Sequence, residues 1–256
     1  NIANKKILVR ADLNVPIENG KISDISRLIS ATSTIKTIQS LGGITILISH
    51  FGRPDGLYIE ELSLKQVIPE LENLLNCPVK FSSELVGKNV IKKIDNLIGG
   101  EILLLENTRF FAEEEMNDES FSIELSKLGD IFCNDAFSSS HRAHASTVGV
   151  SKLLPNCAGQ LMKKEIDTLE NVLKKPQKPL TAVVGGAKIS TKLNLLLNLI
   201  KKVDYLIIGG GMANTFLFAK ELQIGKSLCE KNLKETTQRI ISKAIENNCE
   251  IILPHD

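Results

Sequence analysis

The chain has no tryptophan, only two tyrosines, an aromatic content of 4% and a formal net charge of +1. Base-stacking platforms need aromatic faces, and nucleic-acid or membrane-surface binding needs a basic excess. Neither class of partner is expected. The five cysteines (Cys77, Cys133, Cys157, Cys229, Cys249) contain no C-x-x-C pair, which predicts free thiols in a reducing compartment rather than a zinc site or disulfide framework. No apolar run approaches the ~20 residues that span a bilayer, and no signal peptide is recognisable. A cytoplasmic protein is expected. Hydrophobic content of 43% and charged content of 24% suit a globular chain, and 256 residues suffice for two domains with real cores.

Arginine is also scarce. Of 31 basic residues only 6 are arginine, and five of these (Arg10, Arg27, Arg53, Arg109, Arg142) fall in the first 142 residues. Three of the four histidines (His50, His141, His144) lie beside them. The guanidinium fork grips carboxylate or phosphate bidentately, which lysine cannot do. The pattern predicts a local site for a small, multiply anionic ligand.

Short apolar runs alternate with helical spacing. Strands are expected over 6–9, 44–49, 79–81, 102–105, 131–133, 180–184, 205–208 and 250–253, with helices over 27–41, 63–76, 158–173 and 233–247 among the intervening segments. The runs are continuously apolar, as in parallel strands covered on both faces, so the fold class is α/β. Pro69 inside 63–76 predicts a helix that starts late or bends. A Lys/Pro run over 174–179 closes the third helix, which divides the chain into a first domain at 1–157, an interdomain helix and linker at 158–178, and a second domain at 179–256.

The chemistry-bearing motifs follow the strands, where ligands of parallel sheets sit. Arg10, Asp12, Leu13, Asn14 and Pro16 follow the first; His50, Phe51, Gly52 and Arg53 follow the second. Asn107 and Arg109 end a third, and Asp135, Ser138, His141, Arg142 and His144 come after a fourth. His141 and His144 have the spacing of metal ligands, and Asp135, a serine and His141 the residue types of a hydrolase triad. The first lacks further ligands nearby and the second lacks a nucleophile elbow. In the second half, Gly185, Gly186, Ala187 and Lys188 run from strand toward helix, with Lys192 one helical turn on. Glycines there expose backbone N–H groups to phosphate, and two lysines four apart share a helix face. Gly209, Gly210 and Gly211 repeat the arrangement. Tight strand-to-helix packing explains either glycine run equally well.

Taken together, VRADLNVP (9–16), SHFGRP (49–54), LLLENTRF (103–110), NDAF with HRAHASTVGV (134–150), VVGGAKIS (183–190) and IIGGGMANTF (207–216) closely resemble the phosphoglycerate kinase family, in the family's order. The resemblance implies two Rossmann-like parallel-sheet domains facing a cleft and joined by a hinge helix, the second domain incomplete. It implies reversible phosphoryl transfer between 1,3-bisphosphoglycerate and Mg·ADP, giving 3-phosphoglycerate and Mg·ATP, in a monomeric glycolytic and gluconeogenic kinase. Carried over, the acid substrate falls to Asp12, Leu13, Asn14, Arg27, His50, Phe51, Gly52, Arg53, Arg109 and Arg142. Arg10, His141 and His144 match a wider basic patch. The nucleotide falls to Gly185, Gly186, Ala187, Lys188, Lys192, Gly209, Gly210 and Gly211, and the catalytic cations are Arg27, Lys188 and Lys192. No protein metal ligand is assigned; Mg2+ comes with the nucleotide. Leu13, Phe51 and Ser138 to Ser140 depart from the family's usual residues. Family members also continue beyond Asp256, into a second nucleotide-binding stretch, so little turnover is expected from these residues alone. A non-catalytic binding form of the scaffold is the alternative; a dinucleotide oxidoreductase is disfavoured by the absent G-x-G-x-x-G.

Overall fold

The computed structural model describes residues 1–18, 20–174 and 176–255. Lys175, in the expected linker, and Asp256, the end of the expected second domain, lie outside the described residues. The chain forms two compact units, Asn1–Asp167 and Thr168–Asp256.

In the first unit, β1 (Lys6–Arg10), β4 (Ile44–Ile48), β5 (Lys80–Ser82), β6 (Ile102–Leu105), β7 (Ile131–Asn134) and β8 (Asn156–Ala158) form one sheet. Its order is β5-β6-β4-β1-β7-β8, with every pairing parallel. A two-stranded antiparallel hairpin, β2 (Ile17–Glu18) with β3 (Lys21–Ile22), precedes the first helix. Alternate side chains of each strand enter opposite layers. Ile7, Val9, Leu47, Leu104 and Cys133 pack with Leu28, Ile35 and Ile38 of α1 (Ser26–Ser40) and Leu71 and Leu75 of α2 (Ile68–Leu75). Leu8, Ile46, Ile48, Leu103, Leu105 and Phe132 pack with Val90 and Ile94 of α3 (Lys88–Asp95) and Phe121 and Leu125 of α5 (Glu119–Ser126). Two buried faces account for the unbroken apolar runs. The short α4 (Ala112–Glu115) lies between β6 and α5.

The second unit contains β9 (Thr181–Gly185), β10 (Tyr205–Gly209) and β11 (Glu250–Ile252), parallel in the order β11-β10-β9. Packed with them are α7 (Leu193–Leu199), α8 (Gly211–Ala219) and α9 (Lys234–Glu246), around Leu196, Leu206, Ile208, Phe216 and Ile240. The long helix α6 (Gln160–Lys174) carries the boundary between the units.

The expected strands form within two residues of their predicted ends. The helix predicted over 63–76 begins late: Leu64–Val67 is a 3-10 turn, and Pro69 sits in the first turn of α2, where its missing N–H costs no intrahelical bond. Ala158, expected in the third helix, belongs instead to β8, because Phe132 N–H and Gly159 N–H continue the β7–β8 ladder on either side of it. The hairpin and β8 were not expected; segments of two and three residues are too short for a periodicity signal. No helix among the described residues is long and apolar enough to cross a membrane.

Candidate functional site

Every motif singled out in the first half lies just beyond the carboxyl end of a parallel strand. Arg10 closes β1, His50 follows β4, Arg109 follows β6, and Asp135 follows β7. Parallel pairing brings these ends to one edge of the sheet.

Arg10 is 1% exposed, and each of its three guanidinium nitrogens has a partner. Its Nε donates to Ser146 Oγ (2.8 Å), Nη1 to the Ala11 carbonyl (2.7 Å), and Nη2 to His50 Nδ1 (3.1 Å). Guanidinium is a donor only, so Nδ1 accepts and the neutral imidazole carries its proton on Nε2. Burial, then the charges of Arg10, Arg109, Arg142 and Arg27, push His50 down to about 2. His50 is therefore a neutral Nε2–H donor. Behind Arg10, the buried Glu114 carboxylate accepts from Ser146 N–H (2.8 Å) and Ser146 Oγ–H (2.5 Å), so Ser146 bridges the buried cation and anion.

Asp12 fixes the next layer. Its Oδ1 accepts from Arg27 Nη1 (3.2 Å), and its Oδ2 accepts from Ser138 Oγ (2.6 Å). The Arg27 side chain, in the first turn of α1, is half exposed and also donates to the Asn14 carbonyl (2.8 Å). Asn14 Oδ1 in turn accepts from Gly52 N–H (2.9 Å). An open groove of about 360 Å³ lies along this wall, lined by Asp12, Arg27, Ser138 and Glu165 among others.

Arg109 is 5% exposed; Nη1 donates to the Gly52 carbonyl (2.8 Å). Its Nε lies 3.0 Å from Glu115 Oε1 but makes no hydrogen bond there, which leaves that N–H with bonding capacity. Burial lowers Arg109 most; Arg142 and Arg53 lower it further, against the opposing effect of Glu115 and Glu114. Gly52 holds φ +60°, and an added Cβ would lie 2.7 Å from Leu62 Cδ2. That position needs glycine.

The structure thus gathers Arg10, Arg27, Arg109 and Arg142 around His50, with Arg53, exposed, close enough to act on Arg109. Leu13 and Phe51 do something different: both side chains are buried in the apolar layer, and only their backbones reach the polar network, Leu13 N–H to Ser49 Oγ and Phe51 N–H to Asn107 Oδ1. Their departure from the family's usual residues leaves that network intact. His141 is exposed, while His144 Nδ1 stands 3.9 Å from Glu114 and burial holds it below the ordinary histidine range. Among the described residues no group of three or more His, Cys, Asp or Glu could hold a metal ion. Asp135 Oδ1 accepts from Met162 N–H at the start of α6, so it serves a helix end rather than a triad.

In the second unit the spacing argument needs correction. Lys188 and Lys192 do not sit one turn apart on an α-helix. Lys188 lies in a loop, Ser190–Lys192 is a 3-10 turn, and α7 begins at Leu193. Lys192 Nζ folds back onto the Gly185 carbonyl (2.7 Å), while exposed Lys188 acts on Glu230. Glu230 accepts from Ser190 N–H (3.0 Å) and Ser190 Oγ–H (2.6 Å) and steadies the loop. Gly185 and Gly209 end β9 and β10, and their turns interlock: Met212 N–H donates to the Gly186 carbonyl (2.9 Å), and Gly210 (φ +68°) leaves only 2.9 Å between that oxygen and an added Cβ. Gly211 opens α8, and Ala187 is exposed beside Lys188.

Sequence reasoning missed Glu114 and Glu230, and it assigned no role to Ser49 and Ser146 although both lie within quoted motifs. Glu114 sits in a Glu113–Glu115 run that reads as solvated acidic surface, yet its side chain is fully buried.

Fold and site define a class: a parallel α/β protein with guanidinium groups gathered at the carboxyl ends of its strands. A family profile described as phosphoglycerate kinase matches residues 1–256. The chain belongs to the phosphoglycerate kinase family. It is 51% identical over 255 residues to the phosphoglycerate kinase of Ruegeria pomeroyi and 53% identical over 255 residues to that of Bradyrhizobium diazoefficiens; each alignment covers 100% of this chain and 64% of the relative. Among solved structures, phosphoglycerate kinase from Coxiella burnetii superposes with TM-score 0.85 at 41% identity, covering 99% of this chain and 64% of that one. The enzyme from Pyrococcus horikoshii OT3 gives TM-score 0.81 at 29% identity, over 99% and 65%. The chain thus spans about 64% of the length of the curated relatives it matches.

Proposed function

We propose that this chain carries the 3-phosphoglycerate site and part of the nucleotide site of a phosphoglycerate kinase. In that reading, 1–157 binds the acid substrate, 158–178 links, and the residues from 179 onward serve the nucleotide. The observation that carries it is the convergence of Arg10, Arg27, Arg109 and Arg142 on a histidine kept neutral. Phosphoryl transfer asks for positioning and charge neutralisation more than for a nucleophile, because the substrate carboxylate is itself the attacking or leaving group.

Arg109 and Arg142, with exposed Arg53, neutralise the substrate's distal phosphate, and His50 Nε2–H donates to it. Asp12 and Asn14, locked by Ser138, Arg27 and Gly52, orient the hydroxyl and carboxylate end. Arg27, the half-exposed cation of the set, stabilises charge on the transferring phosphoryl group. Lys188 and Lys192 are the nucleotide-phosphate cations, with Gly185, Gly186, Ala187 and Gly209 to Gly211 as the close-approach backbone. Mg2+ accompanies ATP or ADP as the family implies. The described residues make no metal site of their own, so no step is assigned to it. A cytoplasmic monomer belongs to the same proposal.

Calorimetric titration of the 256-residue chain with 3-phosphoglycerate, ADP and NAD tests the reading. Binding of 3-phosphoglycerate, lost in Arg109→Ala and absent with NAD, is the expected result. Failure of 3-phosphoglycerate to bind a folded chain overturns it, and tight NAD binding would favour an oxidoreductase.

A further inference from the structure

The described residues hold five free thiols, and two of them are neighbours. The parallel register of β7 and β8 sets Cys133 opposite Cys157. Paired residues on adjacent strands share a face, and strands lie about 4.8 Å apart, inside the roughly 4.4–6.8 Å Cα separation that a disulfide spans. The two thiols are close enough for each to shift the other's titration. Their surroundings differ: Cys133 is 4% exposed in the apolar layer beneath α1, while Cys157 is exposed on the edge strand of the sheet. One thiol is reachable from solvent and the other is held behind it.

We propose that Cys157 is a peroxide-reactive modification site whose oxidised sulfur is captured by Cys133 as an intrachain disulfide. This property is independent of phosphoryl transfer. Donation from the Cys133 thiol would favour the Cys157 thiolate, and this pairing draws Cys157 down to about 7, against burial and the Asp135 charge; Cys133 is pushed up by the same pairing, by burial and by its charged neighbours. Reactivity follows thiolate character and access, and both favour Cys157.

The steps balance. The Cys157 thiolate attacks one peroxide oxygen; an S–O bond forms, the O–O bond breaks and hydroxide leaves, so sulfur loses two electrons to the peroxide. The Cys133 sulfur, giving up its proton, then attacks the sulfenic sulfur; an S–S bond forms, the S–O bond breaks, and hydroxide departs with that proton as water. Hydrogen peroxide is the only co-reactant. The remaining thiols lack such a partner among the described contacts: Cys77 accepts from Gln39 Nε2, Cys249 is buried, and Cys229 has no thiol recorded beside it.

The test uses the 256-residue chain, first alkylated with iodoacetamide at neutral pH, with labelling rates read peptide by peptide. Cys157 is expected to react about fivefold faster than Cys229, since its gain in thiolate fraction outweighs the accompanying loss of nucleophilicity and Cys229 is less exposed. Treated with hydrogen peroxide, then unfolded in denaturant and alkylated, the chain should yield one disulfide-linked species joining the Cys133 and Cys157 peptides, with Cys77, Cys229 and Cys249 still alkylated. Cys157→Ser, a change at an exposed position, should leave Cys133 fully alkylatable after the same dose and leave the denaturation midpoint unchanged. In Cys133→Ser, whose hydroxyl can still donate to Cys157 but cannot form a disulfide, dimedone should trap Cys157 as the sulfenic acid. The proposal is overturned if Cys157 reacts no faster than Cys229, if Cys133 is oxidised in Cys157→Ser, or if peroxide links either cysteine to a different thiol or to another chain.

Discussion

At His50, burial and four guanidinium charges all act in one direction, toward the neutral ring. The unfolded chain still takes up a proton near the ordinary value of 6.5, while the folded one resists it down to about 2. Below about pH 6.5 the unfolded state therefore binds the extra proton, and stability is lost as pH falls through that window. His50's share amounts to about 2 kcal/mol less stability at pH 5 than at pH 7. Urea unfolding at the two pH values should show a gap between them that shrinks by this amount in His50→Gln; an unchanged gap refutes the buried neutral histidine. Arg27 and Arg53 differ in what they touch. Arg27 is tied to Asp12 and Asn14 at the groove, whereas Arg53 is exposed and makes no hydrogen bond among the described residues. In a chain of the relatives' full length, Arg27→Ala should lower kcat by about 10²–10³-fold, the scale of a lost transition-state donor, and Arg53→Ala should chiefly raise KM. Steady-state kinetics on both variants separates the two roles, and normal turnover in Arg27→Ala rejects its catalytic one.

At the scale of elements, the glycine turns show how much of a site is backbone. Gly186 and Gly210 belong to different strand-to-helix connections, yet the second cannot carry a side chain because the first one's carbonyl stands in the way. Gly210→Ala combines that contact with φ +68° and should cost about 1–3 kcal/mol. Gly209→Ala, whose methyl would meet nothing within 4 Å, should change the thermal midpoint little. Equal midpoints for the two variants would contradict the interlocked turns. Strands and most helices were legible because a strand buried on both faces must be apolar throughout, and that demand is written locally. The lysine-bearing turn was misread for a complementary reason. Four-residue spacing implies one helix face only if the segment is an α-helix, and between Gly186 and Leu193 the chain is held instead by the Lys192 to Gly185 and Ser190 to Glu230 bonds. Partners 7 and 40 residues away are invisible to periodicity.

For the molecule as a whole, a net charge of +1 supplies little long-range attraction for an anion, so in the proposed reading the attraction for 3-phosphoglycerate is local to the arginine cluster. Since Arg27 and Arg53 are the exposed members of that cluster, while Arg10 and Arg109 are buried, added salt should weaken 3-phosphoglycerate binding in the titration proposed above, as expected for the screened part of the charge. The sequence by itself determined the α/β class, the placing of the motifs after strands, and the choice of arginine and glycine where bidentate grip and close backbone approach are needed, because each follows from a residue's own chemistry or its near neighbours. Only the tertiary structure decided that His50 is neutral, that Glu114 is a buried anion bridged to Arg10 by Ser146, and that Cys133 meets Cys157. Those properties arise from desolvation and from charges and sulfurs brought together across the sheet, and no stretch of chain contains them until the strands have paired.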